Sequence, residues 1–164
     1  MPFAVGEKVP DVGLWKVTDS GFEAVRTGIV LGAGRVVLFA VPGAFTPTCS
    51  DSHLPGFVRR AEEIRARGVD TIACLSVNDP FVMGAWARDR AVGDAVVMLA
   101  DGNGEFTRAV GLEMDAGAVG LGTRSRRYAA ILDDGTVSAL FVEPERGLEV
   151  SSAESVLAAL SNSP

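Results

Sequence analysis

Cysteine and histidine are almost missing from this sequence: 164 residues hold two cysteines, Cys49 and Cys74, and one histidine, His53. Two cysteines in unlike surroundings do not make a disulfide framework, and free thiols are the expected state in a reducing cytosol. With one histidine and no C-x-x-C pair, a structural zinc site lacks its ligands, so no metal is expected. Also missing is any run near the ~20 apolar residues that a membrane helix needs. The opening MPFAVGEKVPDVG lacks the basic and apolar regions of a secretory signal, because Glu7 and Lys8 interrupt it early. The chain therefore reads as soluble, intracellular and cytoplasmic. Positive charge is in short supply, 15 Lys and Arg against 21 Asp and Glu, a net −6. That balance argues against general affinity for nucleic acid or for an anionic membrane. Repeats, linkers and low-complexity tracts are absent as well.

What is present is an ordinary globular composition, 48% hydrophobic and 22% charged, at the length of a single domain spanning residues 1–164. Val12 to Val17, a turn at Asp19-Ser20-Gly21 and Phe22 to Val25 predict a hairpin. VVLFAV from Val36 predicts a buried strand ended by Pro42-Gly43. Leu54, Phe57, Val58, Ala61 and Ile64 then fall on one helical face running to about Gly68, with Pro55 predicting a kink or an irregular first turn. TIACLSV from Thr71 is a second buried strand. Asp79-Pro80 opens a helix with Phe81, Val82, Ala85 and Trp86 on one side. Next come a strand over 95–100, a short helix over 105–110 and a glycine-rich loop, MDAGAVGLGTRS. A hairpin follows, turning at Asp133-Asp134-Gly135, and last a helix with a capping-box start at Ser151-Ser152-Ala153-Glu154. Strands alternating with helices, then a hairpin, imply an α/β thioredoxin-like fold. Its mixed central sheet carries helices on both faces and an N-terminal β-hairpin extension.

The chemistry concentrates in PGAFTPTCSDSHLPGF, residues 42–57. A structural cysteine normally sits in an apolar run; Cys49 sits among hydroxyls, where a helix begins. Helix N-termini present free N–H groups and partial positive charge, which favour thiolate. Lowering a thiol pKa from ~8.5 to around ~6 takes roughly 3 kcal/mol, since one unit is worth ~1.4 kcal/mol. A helix end supplies at most about 2 kcal/mol. A cation is required, and Arg124, Arg126 and Arg127 form the cluster that offers one. Thr46 adds a hydroxyl for the thiolate or for a substrate oxygen.

Pro42, Thr46 and Cys49 stand in the P-x-x-x-T-x-x-C pattern of the peroxiredoxins. PGAFTPTCSDSHLPGF, TIACLSVNDPFVMGAW and TRSRRYAAILDDG together resemble the type II, or peroxiredoxin-5, subfamily over nearly the whole chain. The resemblance implies an oxidoreductase: a thiol peroxidase that reduces hydrogen peroxide and alkyl hydroperoxides without metal, haem or other cofactor. It implies that Cys49 is the peroxidatic nucleophile that becomes sulfenic acid, and that Thr46 hydrogen-bonds the peroxide. Pro42 would shield the pocket, and Arg127 would polarise the peroxide and hold the thiolate. Backbone N–H groups of Thr48 and Cys49 would help bind peroxide oxygens; Phe45 and Arg124 are further candidate substrate contacts. Leu112, Val119 and Leu121 are candidates for the mouth.

Where some members of the subfamily carry a second, resolving cysteine, this chain has Val150 in EPERGLEVSSAE. Cys74, in an apolar run, reads as core. A one-cysteine cycle follows, recycled by an external thiol, glutathione with glutaredoxin, with thioredoxin as the second choice. A homodimer is the family expectation, and Phe45, Phe81 and Trp86 are core or dimer-interface aromatics. Two other readings compete: a peroxide sensor using the same thiol, and a cysteine hydrolase pairing Cys49 with His53 one helical turn away. The hydrolase lacks a partner acid and an oxyanion motif, which leaves His53 as a bystander that hydrogen-bonds locally or lies near the subunit contact.

Overall fold

A computed structural model describes residues 3–145 and 147–161. The strands β1 (Gly13–Thr18) and β2 (Gly21–Arg26) form the expected hairpin, and α1 (Thr27–Val30) is a single turn that no sequence pattern announced. β3 (Arg35–Ala40), β4 (Thr71–Ser76) and β5 (Val97–Ala100) run parallel, joined by α2 (Leu54–Arg65) and α3 (Pro80–Asp89). The short α4 (Glu105–Ala109) follows, then β6 (Glu113–Asp115), β7 (Thr123–Ser125), β8 (Tyr128–Asp133), β9 (Thr136–Val142) and α5 (Ala153–Ser161). Seven strands make one sheet in the order β2-β1-β5-β4-β3-β8-β9, with β8 and β9 antiparallel beside β3.

Alternation along β3 assigns the two faces. Val37 and Phe39 point toward α2, α3 and α5; Val36, Leu38 and Ala40 point toward α4 and Tyr128. The predicted stripe of α2 faces the core, with Val58 half-buried, Ala61 nearly buried and Leu54, Phe57 and Ile64 completely buried. Each such side chain contributes about 1.5–3 kcal/mol. Phe57 stacks on Phe39 with ring centroids 4.0 Å apart and planes 7° from parallel, tying the helix to the strand that leads into the active loop. Asp79 caps α3, its Oδ1 accepting from the Val82 N–H at 2.9 Å, with Pro80 in the first turn.

Three expectations change. MDAGAVGLGTRS is no simple loop: Glu113–Asp115 pairs with Thr123–Ser125 around a 3₁₀ turn, because three-residue strands show no alternation to read. Phe81 does not join the buried face of α3. It is 72% exposed and meets Phe22 of β2 edge-on, while Met83 and Trp86 fill the core. At α5 the cap is Ser152, whose Oγ accepts from the Ser155 N–H; Ser151 is buried and bonded elsewhere.

Candidate active site

β3 ends at Ala40, and the chain must then turn to start the helix that packs back on the sheet. Phe45 takes φ 65°, a left-handed conformation that costs a bulky residue about 1–3 kcal/mol. At Gly43 the loop runs close to Arg124, whose Nη1 would lie 2.8 Å from a Cβ there and would have to shift. Helical backbone begins at Pro47, and its first rung is the Ser50 N–H donating to the Thr46 carbonyl at 2.9 Å. Thr46 is thus the N-cap and Pro47 a first-position proline, and the N–H groups of Thr48 and Cys49 precede the ladder. Residues Cys49–His53 form a π-turn, with the Leu54 N–H reaching back to the Cys49 carbonyl. Pro55 explains the widening, because its missing N–H and its ring oppose an ordinary α turn there. The irregular first turn expected from Pro55 is this π-turn.

The Cys49 sulfur, at a residue with no exposed surface, accepts from Arg127 Nη2 at 3.1 Å. Arg127 Nη1 meets His53 Nδ1 at 2.9 Å, and His53 Nε2 lies 2.8 Å from the Ser151 carbonyl. A carbonyl only accepts and a guanidinium only donates, so His53 is the neutral Nε2–H tautomer with Nδ1 as acceptor. Burial, then the Arg127 charge, push its pKa down from 6.5 to about 3. His53 bonds no sulfur, and both its nitrogens are occupied, so the Cys49–His53 hydrolase pairing is not formed. Nor is His53 a bystander with local bonds: it orients Arg127 through contacts that span 74 and 98 residues.

The neutral histidine has a consequence for stability. The unfolded chain protonates His53 below about 6.5 and the folded chain does not until about 3, so stability is fully present above 6.5 and falls as pH drops between these values. The loss approaches 1.4 kcal/mol per pH unit. Urea midpoints at pH 6.5 and 5.0 should show it, and a His53→Asn protein should show a shallower slope over that interval.

Beside the Cys49 loop lies a cavity of about 400 Å³, lined by Pro42, Thr46, Thr48 and Arg127 and by the apolar Met114, Val119 and Leu121 from the β6–β7 hairpin; the buried Cys49 lies behind this lining. Thr46 Oγ1 donates to the Gly43 carbonyl at 2.7 Å, which leaves its lone pairs to accept from a bound group. Two candidate substrate contacts fall outside the lining. Phe45 is half exposed, and Arg124 spends its guanidinium on the Leu121 and Pro42 carbonyls, bracing the loop. Leu112 belongs to the core on the other sheet face. Arg126 does line the cavity, holding the Glu143 carbonyl at 2.9 Å. Cys74 is buried in β4 opposite Phe39, with its pKa raised by burial and by the neighbouring Cys49. Ser151, which holds His53 through its carbonyl, had only a helix-start signal, and Glu143, which holds Ser151, none beyond polarity.

The fold and site define a thioredoxin-like domain built for thiol chemistry, with one cysteine at a helix N-terminus under an arginine. The Redoxin family model matches residues 4–157. Peroxiredoxin-2E-2, chloroplastic, of Oryza sativa subsp. japonica is 52% identical, covering 96% of this chain and 72% of the rice protein. Peroxiredoxin-2B of Arabidopsis thaliana is 50% identical over 97% of this chain and 99% of its own length. The structure of reduced Prx3 of Vibrio vulnificus in complex with hydrogen peroxide superposes with a TM-score of 0.92 at 48% identity, over 96% of this chain and 99% of that one. The chain belongs to the Redoxin family and, within it, to the peroxiredoxins. No helix among the described residues is long and apolar enough to cross a membrane.

Proposed function

We propose that this chain is a thiol-dependent peroxidase of the type II kind, with Cys49 as the peroxidatic residue. The observation that carries the reading is the sulfur of Cys49, 3.1 Å from a buried arginine on the first turn of a helix. The guanidinium and the free N–H groups of Thr48 and Cys49 stabilise negative charge there, on the thiolate first and on the departing oxygen afterwards. Thr46, its own proton committed to Gly43, accepts from the peroxide O–H and orients the molecule. The thiolate attacks the terminal oxygen, the O–O bond breaks, and the other oxygen leaves as hydroxide or alkoxide and takes a proton. Sulfur is oxidised by two electrons to sulfenic acid and the peroxide is reduced to water or alcohol. The peroxide enters by the cavity, and apolar Met114, Val119 and Leu121 suit alkyl hydroperoxides as well as hydrogen peroxide. Pro42 keeps bulk water from the sulfur.

Recycling needs a thiol from outside, because Cys74 is buried in the sheet. Glutathione condenses with the sulfenic acid to a mixed disulfide and water; a second thiol, delivered by glutaredoxin, then releases the enzyme thiol. The cycle passes electrons through sulfur alone and needs no metal or prosthetic group, and it suits a reducing compartment such as the cytoplasm. Exposed Phe45 and Phe81 support a homodimer contact. Steady-state peroxidase assays on one preparation should give faster turnover with glutathione and glutaredoxin than with thioredoxin. Turnover supported by thioredoxin alone would reverse the choice of reductant, and peroxide consumption no faster than by free cysteine would remove the peroxidase reading.

A further inference from the structure

Glu143, just past β9, is 4% exposed. Its Oε2 accepts from the backbone N–H groups of Glu149, Val150 and Ser151 at 3.0, 2.9 and 2.8 Å, and from Ser151 Oγ at 2.6 Å. Three successive N–H groups around one anion form a backbone nest, here filled by the chain's own carboxylate. Burial raises the Glu143 pKa, but the bonds from Ser151, Glu149 and Val150 outweigh it and hold the carboxyl below its usual value. The backbone of Glu143 is also registered to the active site, its N–H donating to the Arg127 carbonyl at 3.0 Å.

These bonds form a continuous path. Glu143 clamps Ser151; the Ser151 carbonyl accepts a hydrogen bond from His53 Nε2–H; His53 Nδ1 accepts one from Arg127 Nη1; and Arg127 Nη2 donates to Cys49. We infer that Glu143 is a positioning residue for the reactive cysteine: by fixing the Ser151 carbonyl it sets the His53 tautomer and, through it, the orientation of the Arg127 guanidinium. The other groups facing His53 leave it no competing partner. β3 and α2 present the rings of Phe39 and Phe57, at 5.0 and 5.6 Å, and the charged groups around it are Arg127 and Glu143. If the carbonyl moves away, Nε2 loses its acceptor. The proton can then sit on Nδ1, where it opposes the Arg127 N–H. The proposal rests on the peroxidase reading for its kinetic arm only.

His53 is the sole histidine, so a protein carrying ¹⁵N-histidine gives one pair of ring-nitrogen signals that report the tautomer directly. In the wild type these should show the Nε2–H form with Nδ1 as acceptor. Glu143→Gln keeps the backbone bond to Arg127 but gives up the anion in the nest. It should mix the tautomers and slow single-turnover peroxide consumption by about tenfold or more, as misplacement of a reacting group does. Glu143→Asp should restore part of both. Ser151→Ala removes only the Oγ bond and serves if the glutamine protein does not fold; its rate should fall by a smaller factor, with the same spectral change. A folded Glu143→Gln protein with an unchanged Nε2–H signal overturns the inference whatever its rate, and so does a tautomer shift that leaves the rate at the wild-type value. A wild type that consumes no peroxide would instead sink the peroxidase reading and leave the spectral arm to decide the positioning role.

Discussion

Cys49→Ser protein is expected to consume hydrogen peroxide no faster than protein-free buffer, while Cys74→Ala protein keeps the wild-type rate. The two thiols belong to one core cluster but differ in what surrounds the sulfur. Cys49, the attacking residue on the proposed reading, opens the π-turn with N–H groups ahead of the helical ladder and Arg127 at 3.1 Å from its sulfur. A serine hydroxyl in that place stays neutral and is no nucleophile toward a peroxide at pH 7. Cys74 lies in the middle of β4, where burial raises its pKa and a thiolate at Cys49 would raise it further. It remains a thiol, and thiols do not attack. Alanine at 74 removes the sulfur without burying a hydroxyl. Stopped-flow traces on the reduced proteins decide the matter. A large loss in Cys74→Ala with normal folding would make Cys74 part of the cycle.

Arg127→Gln is expected to lower the second-order rate constant for peroxide by about 10²–10³, the usual consequence of removing a preorganised donor from developing negative charge. Arg127→Lys should recover little of this. The guanidinium holds Cys49 with one nitrogen and His53 with the other, at 3.1 and 2.9 Å. An ammonium keeps the charge but lacks the planar fork that spans both partners. A lysine protein with the wild-type rate would show that charge alone suffices and would make the His53 bond irrelevant to catalysis.

Parts of the molecule were legible because their signals are local. The run VVLFAV with its proline stop, the α2 stripe at Leu54, Phe57 and Ile64, and the Asp79-Pro80 helix start each contain the physics that forms them. The same holds for the arginine requirement. A helix end falls short of the energy a thiolate needs, so a cation had to come from elsewhere in the chain, and Arg127 is the one that stands 3.1 Å from the sulfur. Phe81 misled because its spacing matched a buried face, while its exposure was decided by Phe22 on a neighbouring strand. Where Arg124 goes could not be read from the sequence: it shares a basic cluster with Arg127, yet its guanidinium bonds the Leu121 and Pro42 carbonyls, partners fixed by how the loops approach each other.

The sequence by itself determined the order of the main strands and helices, the placement of Cys49 at a helix start behind Thr46, and the need for a distant cation, since propensity, periodicity and the cost of ionising a thiol act over short stretches or follow from known energies. The single turn α1 and the short β6–β7 pair lay outside that reading. Tertiary structure alone decided what His53 does. Its partners Arg127 and Ser151 stand 74 and 98 residues away, and Glu143 reaches it only through the nest at 149–151. A buried hydrogen-bond path of this kind depends on directions and distances between separate elements, and those exist only once β8, β9 and the start of α5 have packed against the turn that carries the cysteine.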